Sequence, residues 1–224
     1  NSLRAYRVKF SEKYGDLVIC CDGRHYWRRD IFPFYKAGRK KDRQESDLDW
    51  NLIFETLNKI RDEIKDNFPY KVVDVNRAEA DDIIGIIVRN KSPFEPTLIL
   101  SGDKDFMQLQ KYMNVDQYAP VQKKFMRTEK PDMFLKEQII RGDRSDGIPN
   151  FLSPPDVFVK GNRQKSISKK KVSIWLGTDP EVFCNEEMLR GYRRNQTLID
   201  LEQIPSDLES EILDQYTNAP SGDR

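Results

Sequence analysis

Short apolar runs alternate with helical-period segments through the first half of the chain, and that alternation limits the possible folds sharply. Residues 17–21 (Leu-Val-Ile-Cys-Cys) are continuous rather than alternating, as a strand covered on both faces is, and 70–75 and 97–100 read as the second and third strands. Between the first two, Leu52, Ile53, Leu57, Ile60, Ile64 and Phe68 recur at helical spacing. Between the second and third, Ala80, Ile83, Ile84 and Ile87 do the same. Strand–helix–strand order requires right-handed crossovers, so the expected fold is α/β, a mainly parallel β-sheet flanked by helices. Residues 103–110 read as a short helix, and 114–118 and 123–127 as further strands. The opening segment also looks helical, through Leu3, Tyr6, Val8 and Phe10.

From about Pro131 the pattern changes to helix and loop. A helix is expected at 133–141, then a Gly/Pro/Asp-rich stretch to about 161. A helix capped by Ser166 or Ser168 then runs through Lys171 to Leu176, followed by two more near 185–198 and 206–216. The expected division is therefore residues 1–130 as an α/β core and 131–224 as a helical part. The tail from Asn218 is polar and rich in Pro and Gly.

Composition excludes several chemistries. The 224 residues are 38% hydrophobic, enough for a core, and carry a formal charge of only +1. The charge is segregated, however. Segment 24–43 holds eight Lys/Arg against two acids, 160–171 holds six Lys/Arg and no acid, and 74–105 holds seven acids against four bases. His25 is the only histidine, so no two-histidine metal site exists and histidine-based triads are disfavoured. Three cysteines give neither a zinc ribbon nor a disulfide framework, and Cys20 and Cys21 read as small core residues. No run approaches the ~18 apolar residues of a membrane span and no signal peptide is visible. The expectation is a reduced, cytoplasmic protein with no membrane association.

In an α/β sheet, functional groups collect at the carboxyl ends of strands. Reading each strand to its end gives acids every time: Asp22 after the first, Glu79, Asp81 and Asp82 after the second, Asp103 and Asp105 after the third. A further pair, Asp143 and Asp146, follows the helix at 133–141. Any one of these acids serves equally well as a helix cap. Four groups together are harder to explain that way, because clustered carboxylates repel unless a cation neutralises them. With no His or Cys on offer, the hard-oxygen set suits Mg²⁺ or Mn²⁺, and two such ions support phosphodiester hydrolysis. At 100° per residue Asp82 points away from the apolar stripe, so it is expected to be solvated or an outer-shell acid.

Segment 24–43 interleaves bases with aromatics, which suits a single nucleic-acid strand: cations meet phosphates and rings stack on bases. Trp27, Arg28, Arg29, Tyr35, Lys36, Arg39 and Lys40 are the candidate contacts, against the plainer reading of a solvated loop. Lys169, Lys170 and Lys171, near a helix start, are candidates for a duplex phosphate, and a solvated helix face accounts for them equally well.

Taken in order, several motifs resemble the 5′-nuclease superfamily of flap endonucleases and polymerase-linked 5′–3′ exonucleases, which shares a PIN-like core. They are Asp22 before the aromatic-basic segment, Tyr35-Lys36-x-x-Arg39, Glu79-Ala80-Asp81-Asp82, Ser101-Gly102-Asp103-Lys104-Asp105-Phe106 and Gly142-Asp143-x-x-Asp146-Gly147-Ile148-Pro149. The closer likeness is to the RNases H of T-even-type bacteriophages, through Tyr26-Trp27-Arg28-Arg29-Asp30, Asp49-Trp50 and Arg194-Asn195-x-x-Leu198-Ile199-Asp200. It runs in order through nearly the whole chain.

This resemblance implies a two-magnesium nuclease, with Mn²⁺ able to substitute, acting on RNA–DNA hybrids and on DNA with a 5′ flap or single-strand/duplex junction. It implies that Asp22, Asp81 and Asp103 serve a first metal with Glu79 and Asp82 nearby, and that Asp105, Asp143 and Asp146 serve a second. Lys36 and Arg39 would lie on a basic helical arch, about residues 24–48, steering the scissile phosphate. Residues 147–176 would form a helix-turn-helix element gripping duplex DNA. Asp22, Asp81, Asp103, Asp105, Asp146 and Lys36 become the expected catalytic set. A monomer working with a sliding clamp and a single-strand-binding protein, in the host cytoplasm if phage-encoded, is the family-level expectation for partners.

The chain departs from the family pattern in three places. The family's central first strand, with its first metal-binding aspartate, would precede Asn1. The duplex-binding loop reads Gly147-Ile148-Pro149-Asn150-Phe151 followed by an insertion. The phage enzymes also continue past where this chain stops. Two other readings therefore stand beside the nuclease: a catalytically impaired nucleic-acid-binding fragment of such an enzyme, and a PIN-type ribonuclease.

Overall fold

The protein is described by a computed structural model covering residues 2–220, Lys41 by its backbone alone. In chain order the elements are α1 (Ser2–Tyr14), β1 (Val18–Cys21), α2 (Trp27–Ile31), α3 (Gly38–Gln44), α4 (Trp50–Asn67), β2 (Lys71–Asp74), α5 (Ala80–Arg89) and β3 (Thr97–Leu100). There follow a 3-10 helix (Lys104–Lys111), β4 (Val115–Ala119), β5 (Lys124–Met126), α6 (Pro131–Arg141), α7 (Lys169–Leu176), α8 (Pro180–Phe183), α9 (Glu186–Ile199) and α10 (Ser206–Asn218). No helix among the described residues is long and apolar enough to cross a membrane. The elements gather into two compact units. The first holds the residues up to Tyr26, Leu48–Arg127 and those from Ile204 on; the second holds Trp27–Asp47 and Thr128–Gln203.

The first unit is the α/β part, and its strands pair in parallel as the alternation predicts. β1 runs alongside β2 from Val18↔Lys71 to Cys21↔Asp74, and β3 alongside β4 from Thr97↔Val115 to Leu100↔Tyr118. β5 closes the second sheet as an antiparallel edge. The result is two small sheets, β1-β2 and β3-β4-β5. Residues of β1 and β3, with α1 and α5, line a cavity of about 630 Å³. α5 supplies the core through Ile83 and Ile86, packed with Val73 and each fully buried; burying such a side chain contributes about 1.5–3 kcal/mol. α1 lies on the second sheet through Phe10, whose ring meets Tyr118 edge-on at 5.1 Å. The Tyr14 hydroxyl donates to Asp116 at 2.7 Å.

α10 secures β2. The Gln215 side chain accepts from the Asp74 amide at 2.6 Å and donates to the Asp74 carbonyl at 3.0 Å, replacing a strand's hydrogen bonds with one side chain. Lys71 Nζ donates to the Tyr216 carbonyl at 2.7 Å, and Arg77 and Arg89 pair with Asp207 and Glu209. α4 forms where its periodicity predicts, capped by Asp49 accepting from the Leu52 amide at 3.0 Å. Its stripe is only partly covered, however: none of its residues is buried, Ile53 and Ile64 are half-buried, and Leu52, Leu57 and Ile60 are exposed. Periodicity fixes the helix but does not supply a neighbour for its apolar face.

The second unit is helical around Phe151, whose ring meets Trp175, Phe183 and Tyr192 edge-on at 5.2, 6.2 and 6.2 Å. α9 passes so close that a Cβ at Gly191 would stand 1.9 Å from the Phe151 carbonyl oxygen. Arg194 and Asn195 of α9 hold the loop after α6. Arg194 donates to the carbonyls of Pro149, Asn150 and Ser153, and Asn195 Nδ2 to those of Ile139 and Pro149 at 2.8 Å each. Burial pushes the Arg194 guanidinium down to about 10, still charged at neutral pH. Ser168 caps α7, accepting from the Lys171 amide at 3.3 Å. In place of a short turn between two helices, α6 and α7 are joined by residues 142–168, which alternate turns with irregular chain.

Candidate active site

In the first unit the carboxylates are positioned from the strand ends outward. β1 ends beside the turn that starts α5: the Gly23 amide donates to the Ala78 carbonyl at 2.8 Å. A Cβ at Gly23 would lie 2.4 Å from the Val75 carbonyl oxygen, so only glycine permits this approach. The approach brings Asp22 Oδ1 within 2.8 Å of the Ala80 amide at the N-terminus of α5, where a helix favours negative charge. Asp22 therefore stands next to the start of the helix that carries Glu79, Asp81 and Asp82. Glu79 is buried and Asp81 half-buried.

Asp82 departs from the solvated reading. Its side chain turns back and accepts from the Glu79 amide at 2.9 Å, and it is fully buried rather than solvated. Helical phase describes where a Cβ points; a short carboxylate at the third helical position folds back onto the free amides of the first turn.

β3 ends in a second turn of the same kind. Asp103 caps the 3-10 helix by accepting from the Asp105 amide at 3.0 Å, and the Ser101 hydroxyl accepts from the Asp103 amide. Gln117 of β4, almost wholly buried, donates to the Ser101 and Asp103 carbonyls at 3.0 and 2.6 Å. Sequence reasoning missed this residue. Its signal was available: a glutamine amid the apolar residues of an inner strand must find buried partners. Asp22 and Asp103 are exposed, and each gives one oxygen to a backbone N–H while the other accepts nothing among the described residues.

In the second unit Asp143 and Asp146 sit in one tight turn. Asp143 Oδ1 accepts from the Ser145 amide and hydroxyl at 2.7 and 2.6 Å and from the Asp146 amide at 3.3 Å. Asp146 faces the basic segment. Its Oδ1 accepts from Arg39 Nη2 at 2.7 Å; its Oδ2 accepts from the Tyr35 hydroxyl at 3.0 Å and lies 3.6 Å from Lys36 Nζ.

The proposed strand-gripping residues divide by burial. Trp27, Arg28, Tyr35 and Lys36 are interior. Arg28 Nε donates to the Leu198 carbonyl at 2.7 Å and its guanidinium stacks over Trp27, so this pair is packed into the unit rather than presented to a strand. Arg29, Arg39, Lys40, Lys169, Lys170 and Lys171 are exposed. Burial pushes the Cys20 thiol up to about 12, away from the thiolate form.

Hard carboxylate oxygens match a divalent ion such as Mg²⁺ or Mn²⁺ in chemistry. Among the described residues, however, no three His, Cys, Asp or Glu side chains stand close enough to hold a metal ion. Asp22 and Asp103 each keep an oxygen to offer; Asp146 is already neutralised by cations.

An α/β core with acids at its strand ends, joined to a basic helical part, defines a class of phosphodiester-cleaving proteins, and the comparisons agree. Residues 3–138 match the model of the 5′-3′ exonuclease N-terminal resolvase-like domain, and residues 129–224 match that of the T4 RNase H C-terminal domain. The chain belongs to this 5′–3′ exonuclease family. Ribonuclease H of Enterobacteria phage T4 is 34% identical over 228 residues, spanning 94% of this chain and 74% of that protein. Among solved structures, a phage T5 protein co-crystallised with metal ions superposes with TM-score 0.71 at 16% identity, covering 96% of this chain and 90% of that one. A phage T5 flap endonuclease in a pseudo-enzyme–product complex with DNA and metal ions superposes with TM-score 0.67 at 16% identity, covering 97% and 89%. At such identity these two likenesses concern the fold.

Proposed function

We propose that this chain is a Mg²⁺-dependent 5′–3′ nuclease that hydrolyses phosphodiester bonds in RNA–DNA hybrids and in DNA bearing a 5′ flap. The observation that carries the reading is the pair of strand-end carboxylates, Asp22 and Asp103, each anchored through one oxygen by a backbone N–H with the other oxygen left to offer. Asp22, Glu79, Asp81, Asp103 and Asp105 would hold the metal in the first unit, with Asp143 and Asp146 serving a second ion. The chemistry such an ion would supply is an activated water and a neutralised leaving oxygen, for which no histidine base would be needed. The backbone amides that anchor Asp22 and Asp103 keep those carboxylates oriented, and Gln117 holds the turn that carries Asp103. Lys36 and Arg39 orient the phosphate, and Lys169, Lys170 and Lys171 attract duplex backbone.

The absence of a converging carboxylate trio among the described residues favours a second reading, a nucleic-acid-binding module with impaired catalysis. One experiment separates the two: a 5′-labelled flap and a 5′-labelled RNA–DNA hybrid are incubated with Mg²⁺, with Mn²⁺ and with EDTA. Short 5′ products released only with metal establish the nuclease. Salt-sensitive binding without cleavage under every condition establishes the binding module.

A further inference from the structure

The two small sheets end on strands that face one gap. β1 pairs with β2 alone and β3 with β4 alone, so each has an edge without a strand neighbour among the described residues. Residues 17–20 and the whole of β3 line the cavity of about 630 Å³, which places it at both open edges. Among the described residues no backbone hydrogen bond crosses it from β1 to β3. An open edge carries a row of N–H and C=O groups, and such groups need partners wherever water is kept away.

Burial runs in reverse across each sheet. β1 has no buried residue and β3 has only Ile99, whereas β2 buries Val72 and Val73 and β4 buries four of its five residues. The sequence of β1, Val-Ile-Cys-Cys, suits a strand covered on both faces, yet every one of its residues is half-exposed. α1 lines the gap through Leu3, Tyr6 and Phe10, and it too has no buried residue. α5 lines it through Ile84 and Ile87. The lining is thus apolar side chains from two helices and open backbone edges from two strands. A small apolar molecule would fill such a volume and leave both edges unpaired. An extended peptide satisfies the side chains and the edges together.

We propose that the gap is a strand-acceptor site: it takes one extended apolar segment of a partner polypeptide, hydrogen-bonded to β1 on one side and to β3 on the other. The segment would run parallel to its neighbours, as β2 and β4 do, and join the two sheets into one. Continuous β-branched residues suit it, because helices cover both of its faces. β1 ends at Asp22 and β3 leads to Asp103, so the occupant also sets the spacing of these two carboxylates. Only that consequence rests on the nuclease reading above.

The test is amide hydrogen exchange of the whole chain, with and without a synthetic peptide of about five Val and Ile residues flanked by lysines. The peptide should slow exchange in residues 18–20 and 98–100 about tenfold and leave the edge strand β5 unchanged. A second peptide with proline at its centre keeps the apolar bulk but loses an N–H, and should bind about tenfold more weakly by fluorescence anisotropy. Equal binding of the two peptides, or binding that protects neither β1 nor β3, would overturn the strand and leave a plain apolar pocket. Failure of the first peptide to bind would overturn it as well. A dimer in sedimentation, with the same amides protected and no peptide added, would put a second copy in place of the partner and overturn the proposal. None of these readouts needs cleavage. A chain that takes the peptide and cuts no nucleic acid refutes the nuclease reading and upholds the acceptor site.

Discussion

Asp22 and Asp103 of the first unit and Asp146 of the second are held in opposite ways. In the first, Asp22 and Asp103 are oriented by backbone N–H groups, neutral donors that fix direction and leave the negative charge in place. In the second, Asp146 is oriented by Arg39, Lys36 and Tyr35, which cancel the charge while fixing it. A carboxylate of the first kind attracts a cation from solution; one of the second kind must first release a cation it already has. Motif spacing treats the two alike, and only the partners tell them apart.

The largest expected effect separates chemistry from architecture. Asp103→Asn should reduce metal-dependent cleavage on the order of 10³-fold, the several kcal/mol that a metal's charge stabilisation supplies. It should leave tryptic cutting at 36–43 in EDTA as it is in wild type, because that segment's partner is Asp146. Equal loss of binding and cleavage would break the distinction between the units. Next comes Gly23→Ala, which tests whether backbone approach alone places Asp22. Its Cβ would stand 2.4 Å from the Val75 carbonyl oxygen, so a loss of about 1–3 kcal/mol is expected, or roughly 2–12 °C in thermal midpoint. An unchanged midpoint would mean the β1–α5 junction is looser than this geometry.

The smallest effect concerns Asp116, a carboxylate with no catalytic claim. Burial acts to raise its pKa, but the Tyr14 hydroxyl and the Lys13 ammonium outweigh that and hold it below the usual carboxylate value. A depressed folded pKa contributes stability above the unfolded value near 3.8, lost as pH falls through the lower folded value. Asp116→Asn should therefore cost under about 1 kcal/mol at neutral pH, and the difference from wild type should vanish in acid denaturation below that range.

How much of this was legible in the sequence depends on distance along the chain. The strands at β1, β2 and β3 and the acids after each were legible, because apolar runs and the residues that end them are local signals. The Ser168 cap was legible for the same reason. The pairing of Asp146 with Tyr35 and Arg39 was not: these partners lie more than 100 residues away, and no periodicity links Tyr35 to Asp146. The burial of Trp27 and Arg28 was hidden likewise, since a basic-aromatic run reads as a surface until Leu198 supplies an acceptor inside. Asp82 misled because phase was taken as destination. α4 shows the converse failure, a correct helix whose apolar face is left largely exposed at Leu52, Leu57 and Ile60.

The bonds from α10 to β2 have a consequence for synthesis. β2 is made early, yet the residues that pair with its end arrive late: Arg77 waits 130 positions for Asp207, and Asp74 waits 141 for Gln215. At about 5–20 residues per second, a ribosome needs roughly 7–28 s to deliver them. Through that interval, in which Thr128–Gln203 of the second unit is translated, β2 has no permanent partner for the backbone groups that Gln215 will take. The nascent chain is then vulnerable to unwanted strand pairing, and α10 is the helix that ends the exposure.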